Sequence, residues 1–466
     1  MAVRALYADH LWTPQGWRRD VRLRVQDGMV DALESGASRR DDESLGRFVL
    51  QGMPNLHSHA SQRAMAGLAE RRGVGDDSFW SWRETMYAFA SRIGPDELRT
   101  IAAQLYVEML KAGYSHVCEF HYLHHAPDGK PYADPAAMSL ALIEAAGEAG
   151  VGLTLLPVLY MAGGFDGRPL SERQRRFGMD VRAYLRLLES LCVHESRMLR
   201  IGVALHSLRA VPEAAMREVL ESPLARGRVV HIHIAEQLGE VEECLALRGA
   251  QPVRWLLDHA HVDACWCVVH ATHIDEDELH GIAEAGAVAG LCPTTEANLG
   301  DGIFPLADYL DAGGAIGIGS DSQISISPVE ELRWLEYGQR LITKQRNVAA
   351  RDAGASVGES LWRAVQRGGA QASGLPAADL VASDEASGAA KVAASRADFI
   401  VLDDASPLLA ARDERNILDS FVFAGNTPLV KHVMVDGEWV VRDFHHRDEE
   451  RIAARFRTTV EQLASR

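Results

Sequence analysis

The feature that most constrains the fold of this chain is a series of eight short apolar runs, each followed by a polar cluster and then by a helical pattern. The runs occupy residues 48–57, 114–120, 151–160, 200–206, 228–235, 265–271, 287–292 and 315–321. Strands that alternate with helices are typical of a parallel sheet, because parallel neighbours need a crossover connection that is usually a helix. Eight such units in succession predict an α/β fold of the (β/α)8 barrel type rather than a doubly wound sheet. No G-x-G-x-x-G follows the first run, which also weakens the case for a dinucleotide-binding fold.

Strand-like segments also occupy both ends of the chain. The N-terminal segments VRALYADHLWT and VRLRVQDGMVDALE contain Asp27-Gly28 as a hairpin signal, and the C-terminal segment LVKHVMVDGEWVVRD contains Asp436-Gly437 as a second one. An Ala-, Gly- and Ser-rich stretch at 375–395 is predicted to be a loop or linker. The resulting prediction is a small discontinuous β domain built from both ends, beside a barrel. The predicted boundaries are 1–48 and 390–466 for the small domain and 49–389 for the barrel.

The net charge of the chain limits the kinds of molecule that it can bind. The 466 residues carry a formal net charge of −17, with 48 Lys and Arg against 65 Asp and Glu. Such a chain repels phosphate backbones and has no basic stripe to compensate, so nucleic acid is not an expected partner. The same charge repels an anionic substrate at long range, so a substrate of that kind needs arginines in the pocket itself.

Signals for export or membrane insertion are missing from the sequence. The chain begins MAVRALYADH without the apolar stretch of a signal peptide, and no 18 consecutive residues are apolar. The six cysteines form no CxxC pair, so we expect buried thiols rather than a redox or metal role. We therefore expect a cytoplasmic protein with no membrane partner and, as is common at this size, a homodimer.

A His-x-His pair closes the first apolar run. In a strand, residues i and i+2 point to the same side, so His57 and His59 can converge on one point. Taken alone, such a pair is about as compatible with a structural role as with metal binding. Its position favours a metal, because the carboxyl ends of barrel strands are where active sites of this fold are built.

Other runs end in matching residues. The fifth run leads into His233 and then Glu236, the sixth ends at His270, and the eighth ends in Ser-Asp at Asp321. Imidazole and carboxylate groups of this kind suit zinc or iron(II) and leave room for water. Each residue has an ordinary explanation, a buried histidine or a helix N-cap, but four such coincidences in order favour a metal site. His231 faces the same side as His233 but lies deeper in the barrel, so we expect it to be structural.

In combination these segments resemble the amidohydrolase superfamily, and in particular its deaminase branch with one catalytic metal. Within that branch they are similar to the formimidoylglutamate deiminases of histidine breakdown, and the similarity extends over nearly the whole chain. It rests on NLHSHASQRAMAGLAE (55–70), FWSWRETMY (79–87), CEFHYLHH (118–125), ALHSLRAV (204–211), HIHIAEQ (231–237) and LCPTTEANLGDGIFP (291–305).

The resemblance implies a ligand set for one divalent metal, with zinc expected and iron(II) possible. The implied ligands are His57, His59, His233 and Asp321. Two-metal relatives carry a carboxylated lysine on the third or fourth strand, and neither 151–160 nor 200–206 contains a lysine. We therefore expect a single metal, which would acidify a coordinated water.

The resemblance also implies catalytic roles for three residues. Glu236 would take a proton from the attacking water and deliver it to the leaving nitrogen. The alternative, a surface glutamate, is disfavoured by the apolar HIHIA that leads into it. His270 would hydrogen-bond the attacking oxygen and steady the tetrahedral intermediate, unless it is a buried structural histidine. Asp321 would share in proton transfer while it holds the metal.

An N-formimidoylglutamate substrate is a small dicarboxylate, and planar guanidinium groups bind carboxylates bidentately. The implied substrate contacts are Gln62, Arg83, Tyr122, His206 and Arg209. Without the resemblance these would be solvent-exposed arginines, a packed tyrosine and a helix-facing glutamine. The products would be N-formylglutamate and ammonia.

Two other functions remain open at this point. One is a related deaminase that acts on a heterocycle such as guanine, an adenosine-like compound or a pterin, whose pocket would need base-edge acceptors and stacking surfaces rather than cations. The other is a non-enzymatic scaffold of the same fold, which predicts that some of the metal ligands are missing. The arginines argue against the first alternative, and the complete ligand set argues against the second.

Overall fold

Two curled β-sheets organise the chain, one built from its ends and one from its middle. The computed structural model describes residues 3–71, 79–376 and 390–465. Most of the predicted linker at 375–395 falls outside these ranges. The first four strands belong to the sheet of the chain ends. They are β1 (Arg4–Thr13), β2 (Gly16–Gln26), β3 (Met29–Glu34) and β4 (Glu43–Gln51).

The middle of the chain forms a barrel of parallel strands, in which every predicted run supplies a strand. These strands are β5 (Met53–Ser58), β6 (Tyr114–His121), β7 (Gly152–Leu159), β8 (Leu199–Ile201), β9 (Val203–Ser207), β10 (Val230–Ile234), β11 (Trp266–His270), β12 (Val288–Leu291) and β13 (Ala315–Ile318). The fourth run is split, so that β8 and β9 both pair with β7. The strands pair in chain order from β5 to β13, which confirms the predicted (β/α)8 architecture.

Helices cover the barrel between these strands. They are α1 (Phe79–Ala90), α2 (Pro95–Ala112), α3 (Ala137–Ala149), α4 (Val181–Cys192), α5 (Glu213–Glu221), α6 (Leu238–Arg248), α7 (Pro252–His259), α8 (Glu276–Ala285), α9 (Pro293–Leu299), α10 (Leu306–Asp311), α11 (Pro328–Thr343) and α12 (Val357–Ala372). Among the described residues, no helix has the length and apolarity needed to cross a membrane.

The C-terminal part of the chain returns to the first sheet. Its elements are β14 (Ala390–Arg396), β15 (Phe399–Leu402), α13 (Ile417–Phe423), β16 (Val430–Val435), β17 (Glu438–Arg442), β18 (His445–His446) and α14 (Glu449–Ser465). The sheet order β14-β3-β2-β1-β4-β15-β16-β17-β18 joins the two ends through β4 and β15. Helix α14 lies outside this sheet and packs on α2 of the barrel.

Both predicted hairpins are present. Asp27 and Gly28 connect β2 to β3 with φ angles of 53° and 78°, and Asp436 and Gly437 connect β16 to β17 with the same pair of angles. Two successive positive φ angles define a type I′ turn, in which the second position favours glycine. The Asp-Gly signal therefore identified the turns correctly.

The first apolar run serves both sheets, which differs from the single barrel strand that we expected. Residues up to Gln51 form β4, which pairs with β1 and β15, whereas Met53 begins β5 of the barrel. Gly52 separates the two strands, and its N–H donates to the carbonyl oxygen of Asp398 at 3.0 Å. The residues on either side of this junction, 48–51 and 53–58, are all buried, so hydrophobicity alone does not mark the boundary.

The barrel closes between its first and last strands, at the end where the predicted ligands lie. Ser58 and Asp321 form a parallel bridge. The His59 N–H donates to the Asp321 carbonyl oxygen at 3.1 Å, and the Asp321 N–H donates to the His57 carbonyl oxygen at 3.0 Å. Closure of the barrel thus brings two distant parts of the sequence into direct backbone contact.

All six cysteines are free. Cys118, Cys244, Cys267 and Cys292 are buried, whereas Cys192 and Cys265 are partly exposed. The expectation of buried thiols is therefore correct for four of the six.

Candidate active site

Four side chains meet where the barrel closes. The Nε2 atom of His57 lies 3.1 Å from that of His59 and 3.0 Å from that of His233, which projects from β10. The Oδ1 atom of Asp321 lies 3.2 Å from the Nε2 atom of His59 and 3.5 Å from that of His57. All four side chains are buried. The predicted ligand set is therefore brought together.

The spacing of these atoms fits a single metal ion. Donor atoms about 2.1 Å from one ion and about 90–110° apart lie roughly 3.0–3.4 Å from one another. The separations of 3.0–3.5 Å in this cluster follow that spacing. Burial lowers the pKa of His57 to about 3, so its imidazole is neutral, as a metal ligand must be. These four residues have the chemistry and the geometry of a divalent metal site.

Asp321 supplies the negative charge of this cluster. Burial alone would raise the pKa of its carboxyl, but the hydrogen bond and charge of His57, together with His59 and His270, hold that pKa well below its usual range. The buried carboxylate is therefore ionised.

A second group of residues lies next to the first. His270, Cys292 and Asp321 place one potential ligand atom each within 4.8 Å of one another. Burial and the neighbouring acidic groups raise the pKa of the Cys292 thiol well above its usual value. A protonated thiol is a poor metal ligand, because the thiolate is the form that binds. Cys292 therefore adds little to a metal site in this state.

His270 lies among three carboxylates at the end of β11. Its Nε2 atom is 3.9 Å from an oxygen of Glu236 and 3.9 Å from an oxygen of Asp321, while its Nδ1 atom lies 3.2 Å from Glu296. Burial opposes a charged imidazole, but the surrounding carboxylates outweigh it and raise the pKa of His270 to about 10. The ring can therefore donate from both nitrogens.

The pKa of Glu236 is also raised, which for a carboxyl group favours the neutral form. Burial, with the charges of Asp321 and Glu240, raises the pKa of the Glu236 carboxyl to about 7. A carboxyl group with a pKa near neutrality can both accept and release a proton during turnover. Glu236 lies outside the ligand cluster, so it is available for proton transfer.

Unusual backbone conformations occur at three of these strand ends. Ala235, His270 and Asp321 have φ angles of 51°, 71° and 43°, in the left-handed region that residues other than glycine rarely adopt. Such conformations persist where surrounding contacts impose them, and they are concentrated at functional sites. Here they turn the chain at the positions that present Glu236, His270 and Asp321.

The ligand cluster forms the floor of a cleft of about 710 Å³. The predicted site residues that line this cleft are His59, Gln62, Arg83, Tyr122, His206, Arg209, His233, Glu236, His270 and Asp321. His57 is fully buried behind them. His231 lies elsewhere, with its Nε2 atom 2.8 Å from the carbonyl oxygen of Ala372.

The predicted substrate contacts form the walls. Gln62 donates from its amide to the Tyr122 hydroxyl at 3.0 Å, and the ring of His206 packs 4.3 Å from that of Tyr160. Burial lowers the pKa of Arg83, and the charge of Arg209 lowers it further. Two guanidinium groups that line one cleft are suited to binding an anion.

Sequence reasoning missed several cleft residues. These are Trp82, Met86, Tyr87, Tyr160, Phe177, Ser207, Glu240 and Leu299. Tyr160 closes the third apolar run, so the rule that found the histidines could also have found it. Phe177 comes from a connecting segment far from any strand end, and no pattern in the sequence marks it.

Comparison with known proteins agrees with this fold. The chain belongs to the amidohydrolase family, whose sequence model matches residues 48–440. It is 50% identical over 457 residues to a formimidoylglutamate deiminase from Pseudomonas aeruginosa, covering 97% of this chain and 98% of that protein. A crystal structure of an amidohydrolase from Brucella melitensis superposes with a TM-score of 0.92 at 44% identity and covers 99% of this chain and 100% of that one.

The name of a more distant relative indicates a different kind of substrate. The chain is 25% identical over 430 residues to a 5-methylthioadenosine/S-adenosylhomocysteine deaminase from Natronomonas pharaonis, covering 91% of this chain and 88% of that protein. The family resemblance inferred from the sequence is thus confirmed, and the chain is a hydrolase of this family.

Proposed function

We propose that this protein hydrolyses N-formimidoyl-L-glutamate to N-formyl-L-glutamate and ammonia, a step of histidine degradation. Water adds to the carbon of the C=N bond, the bond from that carbon to the terminal nitrogen breaks, and the glutamate nitrogen stays attached. The observation that carries the proposal is the presence of Arg83 and Arg209 in the same cleft as the ligand residues His59, His233 and Asp321. The identity of 50% to a formimidoylglutamate deiminase supports the same substrate.

The cofactor that we propose is one zinc ion held by His57, His59, His233 and Asp321. Iron(II) fits the same nitrogen and oxygen donors. When bound, the metal supplies Lewis acidity that activates water at neutral pH. The remaining steps belong to side chains of the protein.

Glu236 acts as the proton shuttle. Its carboxylate accepts a proton from the attacking water and delivers it to the departing nitrogen, which leaves as ammonia. His270, held through Nδ1 by Glu296, donates from Nε2 to the oxygen on which negative charge develops. Asp321, whose carboxylate lies 3.9 Å from the same nitrogen of His270, shares in the transfer of the water proton while it holds the metal.

Substrate recognition falls to the walls of the cleft. Arg83 and Arg209 bind the two carboxylates, while Gln62, Tyr122 and His206 contact the polar groups between them and the reacting carbon. A dicarboxylate brings two negative charges to the two half-buried guanidinium groups of the cleft, whereas a neutral heterocycle brings none. The dicarboxylate is therefore a better match for this cleft than the heterocycles of distant deaminases. A scaffold without activity would not need the complete ligand set.

The proposed activity predicts metal-dependent release of ammonia. Purified protein supplied with zinc is expected to release one ammonia per N-formimidoyl-L-glutamate consumed. Removal of the metal by a chelator is expected to lower the rate to below about 1%, because no other group activates water, and added zinc should restore it. An enzyme-coupled ammonia assay measures both. Metal-loaded protein that is inactive on this compound but deaminates a heterocycle would favour the alternative substrate class.

We also propose that the protein works in the cytoplasm as a homodimer, without nucleic acid or membrane as partner. The surface that supports a dimer is the outer face of α11. Large apolar side chains are exposed there and on the adjoining loop, namely Ile303, Trp334, Tyr337, Leu341 and Ile342. At roughly 75–125 Å² each they offer about 400–600 Å², more than half of the roughly 800 Å² that a stable interface buries on each partner.

A second copy of the chain is a suitable partner for this face. Two α11 helices that cross antiparallel about a two-fold axis near Tyr337 would bring Trp334 of one copy close to Leu341 of the other. The same arrangement places the acidic start of each helix, at Glu330, opposite the basic end of its partner, at Lys344. The face therefore pairs apolar with apolar and acidic with basic side chains when it meets a second copy of itself, as a two-fold interface requires.

Leu341→Glu is expected to raise the dimer dissociation constant by at least about 100-fold, because each interface would bury two unpaired carboxylates. Sedimentation equilibrium over a concentration series measures the change. Leu245→Glu on α6 is the matched control, since Leu245 is 52% exposed and Leu341 74%, and its dissociation constant should stay unchanged. A wild-type protein that is monomeric throughout the series rules out the proposed dimer.

A further inference from the structure

A buried carboxylate stands directly behind the ligand-bearing end of β5. Glu119 on β6 is 2% exposed and pairs in register with Ser58. One of its oxygens accepts from the Ser58 hydroxyl at 2.7 Å and from the Tyr106 hydroxyl at 3.2 Å. The other accepts from the backbone N–H of Ala60 at 2.6 Å. Through Ser58 and Ala60, Glu119 therefore holds the segment that carries His57 and His59, and it contacts neither histidine.

The contacts continue from Ser58 to the last strand of the barrel. The Ser58 hydroxyl oxygen accepts from the side-chain amide of Gln323 at 2.9 Å, and the same amide donates to the carbonyl oxygen of Asp321 at 2.8 Å. The amide oxygen of Gln323 accepts from the Ser320 hydroxyl at 2.8 Å. Asn55 completes the chain by donating to Ser320 at 2.6 Å.

The donors and acceptors along this series of hydrogen bonds match. Burial raises the pKa of the Glu119 carboxyl to about 7. In its carboxylate form Glu119 can only accept, so the hydroxyl of Ser58 then donates to Glu119 and keeps lone pairs for Gln323. Both N–H groups of the Gln323 amide are then in use, and its oxygen receives Ser320. Gln323 has a φ of 63°, which also indicates that its contacts impose its conformation.

We infer that Glu119 is a positioning residue, which acts through Ser58 and Gln323 to set the distance between the His57–His59 pair and Asp321. These ligands come from strands more than 260 residues apart in the sequence, and the buried chain of hydrogen bonds is a side-chain link between them. Outer residues of this kind affect metal affinity because they hold ligands in the geometry that the metal requires.

This inference rests on the metal site proposed above, and it differs from a role in stability alone. A carboxylate that only stabilised the fold would change the free energy of unfolding and leave metal affinity intact. Glu331 offers the comparison within the same chain. It is fully buried and accepts from the backbone N–H and the hydroxyl of Thr294, at 2.9 and 2.6 Å, but it contacts no ligand-bearing segment.

The experiment compares Glu119→Gln with Glu331→Gln in the full-length protein. An amide side chain at position 119 has nearly the same volume as the carboxylate, but it must present a donor to either Ser58 or Ala60. That donor interrupts the series of hydrogen bonds from Glu119 to Asp321. Zinc affinity is measured by competition with a chromogenic chelator, and unfolding by thermal denaturation. Glu119→Gln is expected to raise the zinc dissociation constant by about 10–100-fold. Glu331→Gln should lower the unfolding midpoint but leave zinc affinity within about twofold of wild type.

Ser58→Ala tests the same link without altering a buried charge, and it should weaken zinc binding in the same direction. Because both changes break one chain of contacts, the double variant should bind zinc no more weakly than the weaker of the two single variants. A wild type that binds zinc, together with Glu119→Gln and Ser58→Ala variants that bind it equally tightly, overturns the positioning role. A wild type that binds no divalent metal overturns the metal site itself, and the positioning role with it.

Discussion

Glu236→Gln is expected to lower kcat by about three to four orders of magnitude while the metal stays bound. Proton transfer by a positioned side chain contributes up to about 10⁴-fold, and an amide can neither take the water proton nor release it to the departing nitrogen. Glu236 lies 3.9 Å from His270 and is outside the ligand cluster, so the change should leave that cluster intact. Steady-state ammonia release gives kcat, and elemental analysis of the dialysed protein gives the metal content.

Glu240→Gln is the matched control for this change. Glu240 lines the same cleft one helical turn further on, and its carboxylate accepts from the backbone N–H of Glu236 at 3.2 Å. Glu240→Gln should lower kcat by less than about tenfold, because Glu240 orients the backbone and moves no proton. Loss of metal from Glu236→Gln, or equal losses of kcat in the two variants, would assign Glu236 a structural role instead.

Arg209→Met is expected to lower kcat/KM for N-formimidoyl-L-glutamate by about 10²–10³-fold, with little change in metal content. Truncating one partner of a buried, hydrogen-bonded charge pair costs about 2–5 kcal/mol, and much of that cost comes from the substrate carboxylate left without a counter-charge. Arg83 remains in the cleft and would still bind one carboxylate. The substrate should therefore bind, but more weakly and in a less fixed orientation.

A substrate analogue provides the control for the arginine. The analogue N-formimidoyl-L-2-aminobutyrate lacks the side-chain carboxylate, and it is tested with Arg209→Met and Arg83→Met. One of these arginines binds the side-chain carboxylate of the true substrate. The variant that lacks this arginine should have nearly the same kcat/KM for the analogue as the wild type. The other variant should still be impaired, which assigns each arginine to one carboxylate. Unchanged kinetics of Arg209→Met on both compounds would remove Arg209 from the substrate site and reopen the heterocycle alternative.

The barrel and the ligand cluster were predictable because both depend on local patterns. Eight apolar runs give eight strands, and barrel geometry requires that the residues following those strands meet at one end. His57, His59, His233, His270 and Asp321 could therefore be placed together without knowledge of any distance. Arg209 and Glu236 could also be predicted from the sequence, because each lies three residues beyond a strand-end histidine.

Other features depend on contacts between distant segments. The sequence 48–57 gives no sign that it divides between two sheets, since the end of β4 and the whole of β5 are buried alike. Phe177 reaches the cleft only through the path of a loop. The role of Glu119 depends on Gln323, more than 200 residues away, so a carboxylate within a buried strand was visible but its partners were not.

The junction at Gly52 has a consequence for how this protein can be altered. A single residue connects the strand of one sheet to the strand of the other, and a Cβ atom there would lie 2.1 Å from the hydroxyl oxygen of Ser115. Side chains alternate between faces along a strand, so inserting one residue would turn His57 and His59 to the opposite side of the barrel wall. The terminal sheet therefore fixes the register of the first catalytic strand. A chimera that exchanges this sheet with that of a relative must keep both the length of the joint and its glycine.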